Sequence, residues 1–313
     1  MGLRESLFWM FISPLLLLGV ERFYAEKGRP WITPNLLTDA LVGLLRFLAI
    51  TFLFSEFIFG SQAFVRAHLS FLNTGLLDDV PAWVQVLVMF VALDFAYYAF
   101  HRLMHSTKVL WVFHAVHHSQ RRPNPLLQNR AHVFEELIYI LSMAVPPTIL
   151  GGNAPAVYGF VIVDRFWNYF VHSDIKMNLG PLKYLFVTPQ YHRIHHSLER
   201  RHFDKNFAGR LIVWDYLFGT IHTRFDEYPE IGIDGYPVVE KSTSLINVAG
   251  YAIRNFLYPF QALWTHFTRH VETHSPIGDS NSATIRQESL AAVAHPISAN
   301  PSPIDHQILI DIM

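Results

Sequence analysis

Along the chain, apolar stretches alternate with short polar ones, and four or five approach the roughly 20 residues a helix needs to cross about 30 Å of hydrocarbon. They are Leu7–Val20, Leu36–Phe59, Val80–Phe100, Val133–Leu150 and Ala154–Val171. Val80–Phe100 is the cleanest. Leu7–Val20 is short and contains Pro14; Glu21, Arg22 and Phe23 follow it with no small-residue cleavage site, which reads as a retained anchor. Leu36–Phe59 carries Asp39, Arg46 and Glu56, charges that must face protein or an interface. Gly151, Gly152 and Asn153 separate the last two stretches and predict the tip of a helical hairpin. Leu245–Phe267 is aromatic and partly amphipathic, broken by Arg254 and His266, and predicts a helix lying in the interface rather than another span. From Ser275 the chain turns to Ser, Asn, Pro and Ala without periodicity, so 276–313 is expected to be a flexible tail. The pattern predicts one domain over 1–275, with its motif core at 80–222. Its expected fold is all-α and integral to a membrane, about four transmembrane helices capped by a histidine-rich, metal-binding helical region.

Composition supports the membrane reading: of 313 residues, 51% are hydrophobic and only 16% charged. A net charge of −1 gives no basis for a nucleic-acid partner. The absence of cysteine excludes disulfides, thiolate-held zinc, iron–sulfur clusters and a catalytic thiol together. Between His101 and His132 lie Arg102, Lys108, Arg121, Arg122 and Arg130 with no acid, which places that segment on the cytoplasmic side. A hairpin returns the chain to the side it left, so the basic stretch from His172 to Tyr228 should meet it there.

Histidine takes the place of cysteine. Three boxes stand out: His101-x3-His105, His114-x2-His117-His118 and His192-x2-His195-His196. Residues i, i+3 and i+4 of a helix share one face, so each box can converge its rings. At 18 histidines in 313 residues, roughly 0.06 HxxHH matches are expected by chance, so two need a cause. Imidazole suits zinc, copper, nickel or iron, and eight rings exceed what one tetrahedral ion uses; two metals are implied. No HExxH sequence occurs, which excludes zinc proteases of that type. A redox iron pair activating oxygen and a hydrolytic zinc pair both remain open at this point, as does a metal site without catalysis.

His172 lies four residues after Asn168 and eight after Asp164, on one helical face, and could complete the metal shell. Asn168 is then a candidate water-mediated ligand. Asp94, one face below His101 in an apolar span, needs a partner: either a ligand imidazole or an interhelical contact such as Arg46. His132 and Glu135 either orient ligands or simply start a helix. His202, Asp204 and Asp215 either orient ligands or belong to a solvated loop. His222, His266, His270, His274, His295 and His306 have no assigned role, and His68 falls on the opposite side of the membrane.

With these boxes the chain resembles the fatty acid hydroxylase and sterol desaturase superfamily, whose signature is HxxxH, HxxHH and HxxHH. Supporting matches are Asp94-x3-Tyr98, Arg130-Ala-His132, Phe170-Val-His172-Ser173, Asp204-Lys-Asn206-Phe207-Ala208 and Trp214-Asp215-x2-Phe218-Gly219-Thr220. The resemblance runs from about Leu7 to Thr220 and is similar in detail to the alkylglycerol monooxygenase and bacterial sterol-desaturase-like branches. One departure is Arg130-Ala-His132-Val133-Phe134-Glu135, which lacks the proline usual after that histidine. The resemblance implies two irons, with zinc possible as purified, O2 as cosubstrate and electrons from an external reductase or small carrier. It implies His101, His105, His114, His117, His118, His172, His192, His195 and His196 as ligands, and hydroxylation, or desaturation, of a membrane lipid C–H bond.

Overall fold

A computed structural model of the chain describes residues 13–24, 32–151, 154–177, 179–236 and 244–273. Leu7–Ile12, Gly152, Asn153, the tail from 276, and His274, His295 and His306 lie outside these residues. The named α-helices are α1 (Ser13–Tyr24), α2 (Pro34–Phe52), α3 (Ser55–His68), α4 (Ala82–Ser106), α5 (Lys108–His118), α6 (Val133–Leu150), α7 (Ala154–Val171), α8 (Pro189–His195), α9 (Val213–Phe218) and α10 (Leu245–Thr273). Among the described residues there is no strand, only isolated bridges between Phe186 and Leu211 and between Ser197 and Ile231.

Local chemistry sets the helix starts. Thr33 Oγ1 accepts the Leu36 amide at 3.2 Å, with Pro34 in the first turn of α2. Thr107 caps α5 at Leu110 (3.3 Å), and Thr188 caps α8 at Tyr191 (3.1 Å). The α6 and α7 bounds agree with the hydropathy pattern. At the end of α6, Gly151 has φ 74°, the left-handed region that favours glycine, with the Asp78 carboxylate close beside it. The stretch Leu36–Phe59 is not one span: α2 stops at Phe52 and α3 begins at Ser55. The break moves Glu56 to an exposed first turn, where a carboxylate meets the positive helix end instead of hydrocarbon.

Among the described residues, three helices, α2, α4 and α6, are long and apolar enough to cross a membrane, and Leu48, Leu87, Val91, Phe95, Leu141 and Val145 stand exposed on them. The expected fourth, α7, carries Asp164, Arg165 and Asn168 within its length and is not among the three. Helix α4 is the central post: α6 and α7 both pack against it, around Leu77, Met89, Leu93 and Phe160. Between α6 and α7 run Arg165–Glu136 at 3.7 Å and Tyr139–Asp164 at 3.3 Å. Helix α10 lies on α2 and α5, an amphipathic cover with Ile253, Phe256 and Trp264 exposed.

The polar groups inside the apolar helices are paired. Asp39, fully buried in α2, receives Arg130 at 3.1 Å, Asn124 at 2.9 Å and both carboxylate contacts of Gln120 at 2.9 and 3.1 Å. Arg130 also reaches Ser119, the Val116 carbonyl and Asn255 of α10. One ion pair therefore ties α2, the end of α5 and α10 together. Asp39→Ala leaves Arg130 as an uncompensated buried cation, and breaking such a pair costs about 3–5 kcal/mol. Thermal unfolding in detergent is expected to show that loss for Asp39→Ala and none for Glu56→Ala on exposed α3.

Candidate metal centre

Where α4 and α7 end, α6 begins, so chain turns and helix ends gather at one end of the bundle. All nine histidines named above come together there, in two groups. His101, His105, His114, His118 and His195 form the first; His117, His172, His192 and His196 form the second; within each, the donor atoms lie within 4.8 Å of one another. Each HxxHH box serves both groups, because neighbouring residues on a helix point about 100° apart. The adjacent pairs His117-His118 and His195-His196 are what let one helical turn reach two centres. His172, from the turn after α7, gives the second group its fourth imidazole. Eight of the nine are buried, and the His105 side chain is 8% exposed.

The rings are held from behind. His101 Nδ1 donates to the Phe207 carbonyl at 2.8 Å, His195 Nδ1 to Lys205 O at 2.8 Å, His172 Nδ1 to Asn168 O at 2.6 Å, and His114 Nδ1 to Glu135 Oε1 at 2.8 Å. A proton used at Nδ1 leaves Nε2 with its lone pair pointing inward, the tautomer a metal requires. The inward nitrogens are crowded: Nε2 of His118 lies 3.2 Å from that of His114 and 3.1 Å from that of His195. His172 Nε2 lies 3.1 Å from His117 Nε2 and 2.9 Å from His192 Nε2. One proton on His118 cannot serve two lone pairs. Nitrogens sharing an ion at 2.0–2.1 Å would stand about 2.9–3.4 Å apart, so the donor spacing fits a cation in each group.

The loop that supplies two of those carbonyls is itself built for the task. Asp204 and Asn206 adopt φ 55° and 62°, the left-handed region that Asp and Asn tolerate better than most residues. Asn206 is fully buried between Tyr191 O (3.2 Å) and the His222 amide (2.8 Å). Asp215 accepts the amides of Phe207 at 2.9 Å and Ala208 at 2.8 Å, together with Tyr191 Oη at 2.8 Å and Thr220 Oγ1 at 2.6 Å. Beside it, Gly209 faces Tyr97: a Cβ there would come within 2.6 Å of the ring.

The remaining candidates divide. Glu135 touches a ring directly, and Asp204 pairs with His105 Nδ1 at 3.7 Å from a 74% exposed side chain. Asp215 acts through the Phe207 backbone. Asp94 reaches no histidine; it accepts Trp214 Nε1 at 2.9 Å and the Leu211 amide at 3.2 Å, with Arg210 at 3.6 Å. The interhelical alternative, Arg46, instead holds Glu136 at 2.7 Å. Arg210, buried and also paired with Asp164, was not anticipated, although two buried carboxylates in apolar helices imply a cation. The Asn168 side chain donates to Asp164 at 3.0 Å, and only its backbone supports His172. His132 starts α6, accepting the Phe134 amide at 3.2 Å, away from both groups. His202 joins His222 and Glu227 in a separate cluster.

Burial pushes the His195 imidazole down to about 3 and His172 down to about 4, against an ordinary value of 6.5. Burial likewise holds His117, His118, His192 and His196 well below the usual range, so they are neutral and ready as ligands. A cavity of about 780 Å³ opens onto His105, His118 and His195, with Arg102, Lys108 and Arg200 at its walls.

Apolar helices that meet at a double cluster of imidazoles define a class: membrane proteins with a histidine-lined centre for metal. Residues 86–220 match the fatty acid hydroxylase family model. The chain carries a fatty acid hydroxylase domain, and the resemblance drawn from the boxes is borne out. Human alkylglycerol monooxygenase is 33% identical over 219 residues, 67% of this chain and 46% of that protein. An ornithine lipid hydroxylase of Rhizobium tropici is 35% identical over 145 residues, 46% of this chain and 44% of that protein. A very-long-chain aldehyde decarbonylase of Oryza sativa is 29% identical over 153 residues, covering 45% of this chain and 24% of the relative. The chain thus spans less than half the length of each of these relatives. No solved structure is significantly similar to it.

Removing a partner behind a ligand imidazole weakens metal binding by about 10–100-fold. Glu135→Gln is expected to do so in a chelator competition, while Asp94→Asn, remote from the rings, leaves metal affinity near wild type. A second expectation concerns acid. The imidazoles of His117, His118, His172, His192, His195 and His196 sit below 6.5 in the folded state and at it in the unfolded, so the unfolded chain binds protons first as pH falls. Stability of metal-free protein is then lost from about pH 6.5 down to about 4, the values for His172, and scanning calorimetry in that window should show a falling Tm.

Proposed function

We propose that the chain is an oxidoreductase that uses O2 to hydroxylate, or desaturate, an unactivated C–H bond of a membrane lipid at a two-iron centre. The observation that carries the reading is the pair of imidazole groups, with four of the nine rings fixed in their tautomer from behind and the first group opening on a cavity. His101, His105, His114, His118 and His195 would hold one ion, and His117, His172, His192 and His196 the other. Two irons held there would supply oxygen reduction and an oxidant strong enough for a C–H bond. The all-nitrogen donor set fits iron as well as zinc. The names of the relatives favour the oxidative reading over hydrolysis, since they are monooxygenases, a hydroxylase and a decarbonylase of lipids.

The chain's own residues do the rest. The carbonyls of Lys205, Phe207 and Asn168 and the carboxylate of Glu135 keep the rings from rotating, so the donor geometry persists through the reaction. Trp111 and Phe207 wall the cavity beside His105. Arg102, Lys108 and Arg200 at the same cavity suit the polar head of a lipid whose chain presents the reacting carbon to His105, His118 and His195. Position then selects the product: hydroxylation is favoured, and desaturation needs a second hydrogen within reach. Electrons would come from an external reductase or small carrier, as the family resemblance implies; with no cysteine, the chain holds no iron–sulfur cluster of its own. The basic segments favour a cytoplasmic side for the boxes, and the reading takes α7 as a fourth span and 1–275 as one domain.

The test is to purify the protein in detergent from iron-supplemented cells, count metals, and follow membrane lipids under ¹⁸O2. Wild type is expected to hold about two irons per chain and to give an oxygen-dependent lipid product. His117→Ala and His195→Ala, one from each group, should each lower the iron content and abolish the product. Two zincs that persist under iron-replete expression, with no oxygen-dependent lipid change, would overturn the oxidative reading in favour of a hydrolase.

A further inference from the structure

Outside the nine-histidine centre, a second set of donors converges from two separate segments. His202 ends the turn Arg200–His202 and is fully buried; His222 and Glu227 come from the stretch after α9. Their donor atoms lie within 4.8 Å of one another, and the imidazole rings stand 4.6 Å apart at 75°. His202 Nε2 is 2.7 Å from Glu227 Oε2, and His222 Nε2 is 3.6 Å from Glu227 Oε1. His222 Nε2 is buried without a hydrogen-bond partner, an arrangement folded proteins seldom keep without a compensating ligand. Behind His202, Nδ1 lies 2.9 Å from Ser197 Oγ. A proton donated there leaves Nε2 free to bind, as the carbonyls do for rings in the main centre. Glu227 is oriented from outside by half-exposed Arg201, at 2.8 and 3.0 Å, and by Arg224 at 3.8 Å.

We propose that His202, His222 and Glu227 bind a divalent transition-metal ion of the zinc class, a third metal that clips the chain after the last box to the segment at 222–227. Two imidazoles and a carboxylate form a known zinc donor set, with a fourth position left for water. The position gives the clip its purpose. The His222 amide is held by Asn206 Oδ1, and Asn206 sits between Lys205 and Phe207, whose carbonyls orient His195 and His101. The third ion is therefore structural: it fixes the loop that fixes the ligands. The proposal rests on this cluster alone and stands whether the main centre holds iron or zinc.

Full-length protein in detergent, equilibrated with Zn²⁺ and desalted, tests it by metal count per chain. Wild type should carry one more ion than His222→Ala and than Glu227→Gln, while both variants keep the metal of the main centre, which also shows that they are folded. Arg201→Ala, which removes only an outer partner of the carboxylate, should keep the third ion. Co²⁺ in place of Zn²⁺ should give a visible absorption in wild type that is reduced in His222→Ala. Equal counts in wild type, His222→Ala and Glu227→Gln would overturn the proposal and leave the cluster as a hydrogen-bonded His–Glu pair braced by arginine. An empty main centre with the one-ion difference intact would instead count against the two-iron reading only.

Discussion

Neutral imidazoles do not tolerate facing lone pairs about 3 Å apart in a buried site, and everything around this centre follows from keeping nine of them there. His118 illustrates the constraint, with nitrogens of His114 and His195 at 3.2 and 3.1 Å. The arrangement becomes favourable when a cation lies between the donors and the outer nitrogen of each ring is engaged elsewhere. Four of those engagements are in place, at Phe207, Lys205, Asn168 and Glu135, and three of the four acceptors are backbone carbonyls. The precision of the site therefore depends on loop conformation as much as on the helices that carry the histidines.

That dependence explains where the buried charges sit. Asp39 with Arg130 locks the turn after the second box. Asp94 and Asp164 with Arg210 anchor the chain just after Phe207 and Ala208, and Asp215 gathers the amides of those two residues. The Asp39 and the Asp94–Asp164 networks each join an apolar helix to a loop beside histidines of the centre. Charges in such surroundings are costly unless paired, so each fixes one relative position of helix and loop. The apolar core between α4, α6 and α7 supplies stability, whereas these pairs supply registration.

What the sequence disclosed and what it hid divide along the distance over which each feature acts. Box spacing is local, and helical periodicity alone brings His114, His117 and His118 to one face; the bounds of α6 and α7 and the placement of His172 were legible for the same reason. Glu135 could be named, but choosing it over His132 required seeing which of two neighbours faces a ring and which caps a helix. For Asp94 the sequence left a ligand imidazole and an interhelical contact such as Arg46 both open, while the actual cation, Arg210, 116 positions further on, reads as an ordinary loop residue. Backbone carbonyls have no side-chain signature, so the role of Lys205 and Phe207 was invisible in the sequence. The cluster of His202, His222 and Glu227 spans 25 residues with no motif spacing and appears only when the chain is folded.

The central claim is that two ions occupy the two imidazole groups, and anomalous diffraction from crystals of iron-loaded protein tests it most directly. The account predicts two peaks at the iron edge, one among His101, His105, His114, His118 and His195, the other among His117, His172, His192 and His196. A single peak, or iron lying outside both groups, would contradict it.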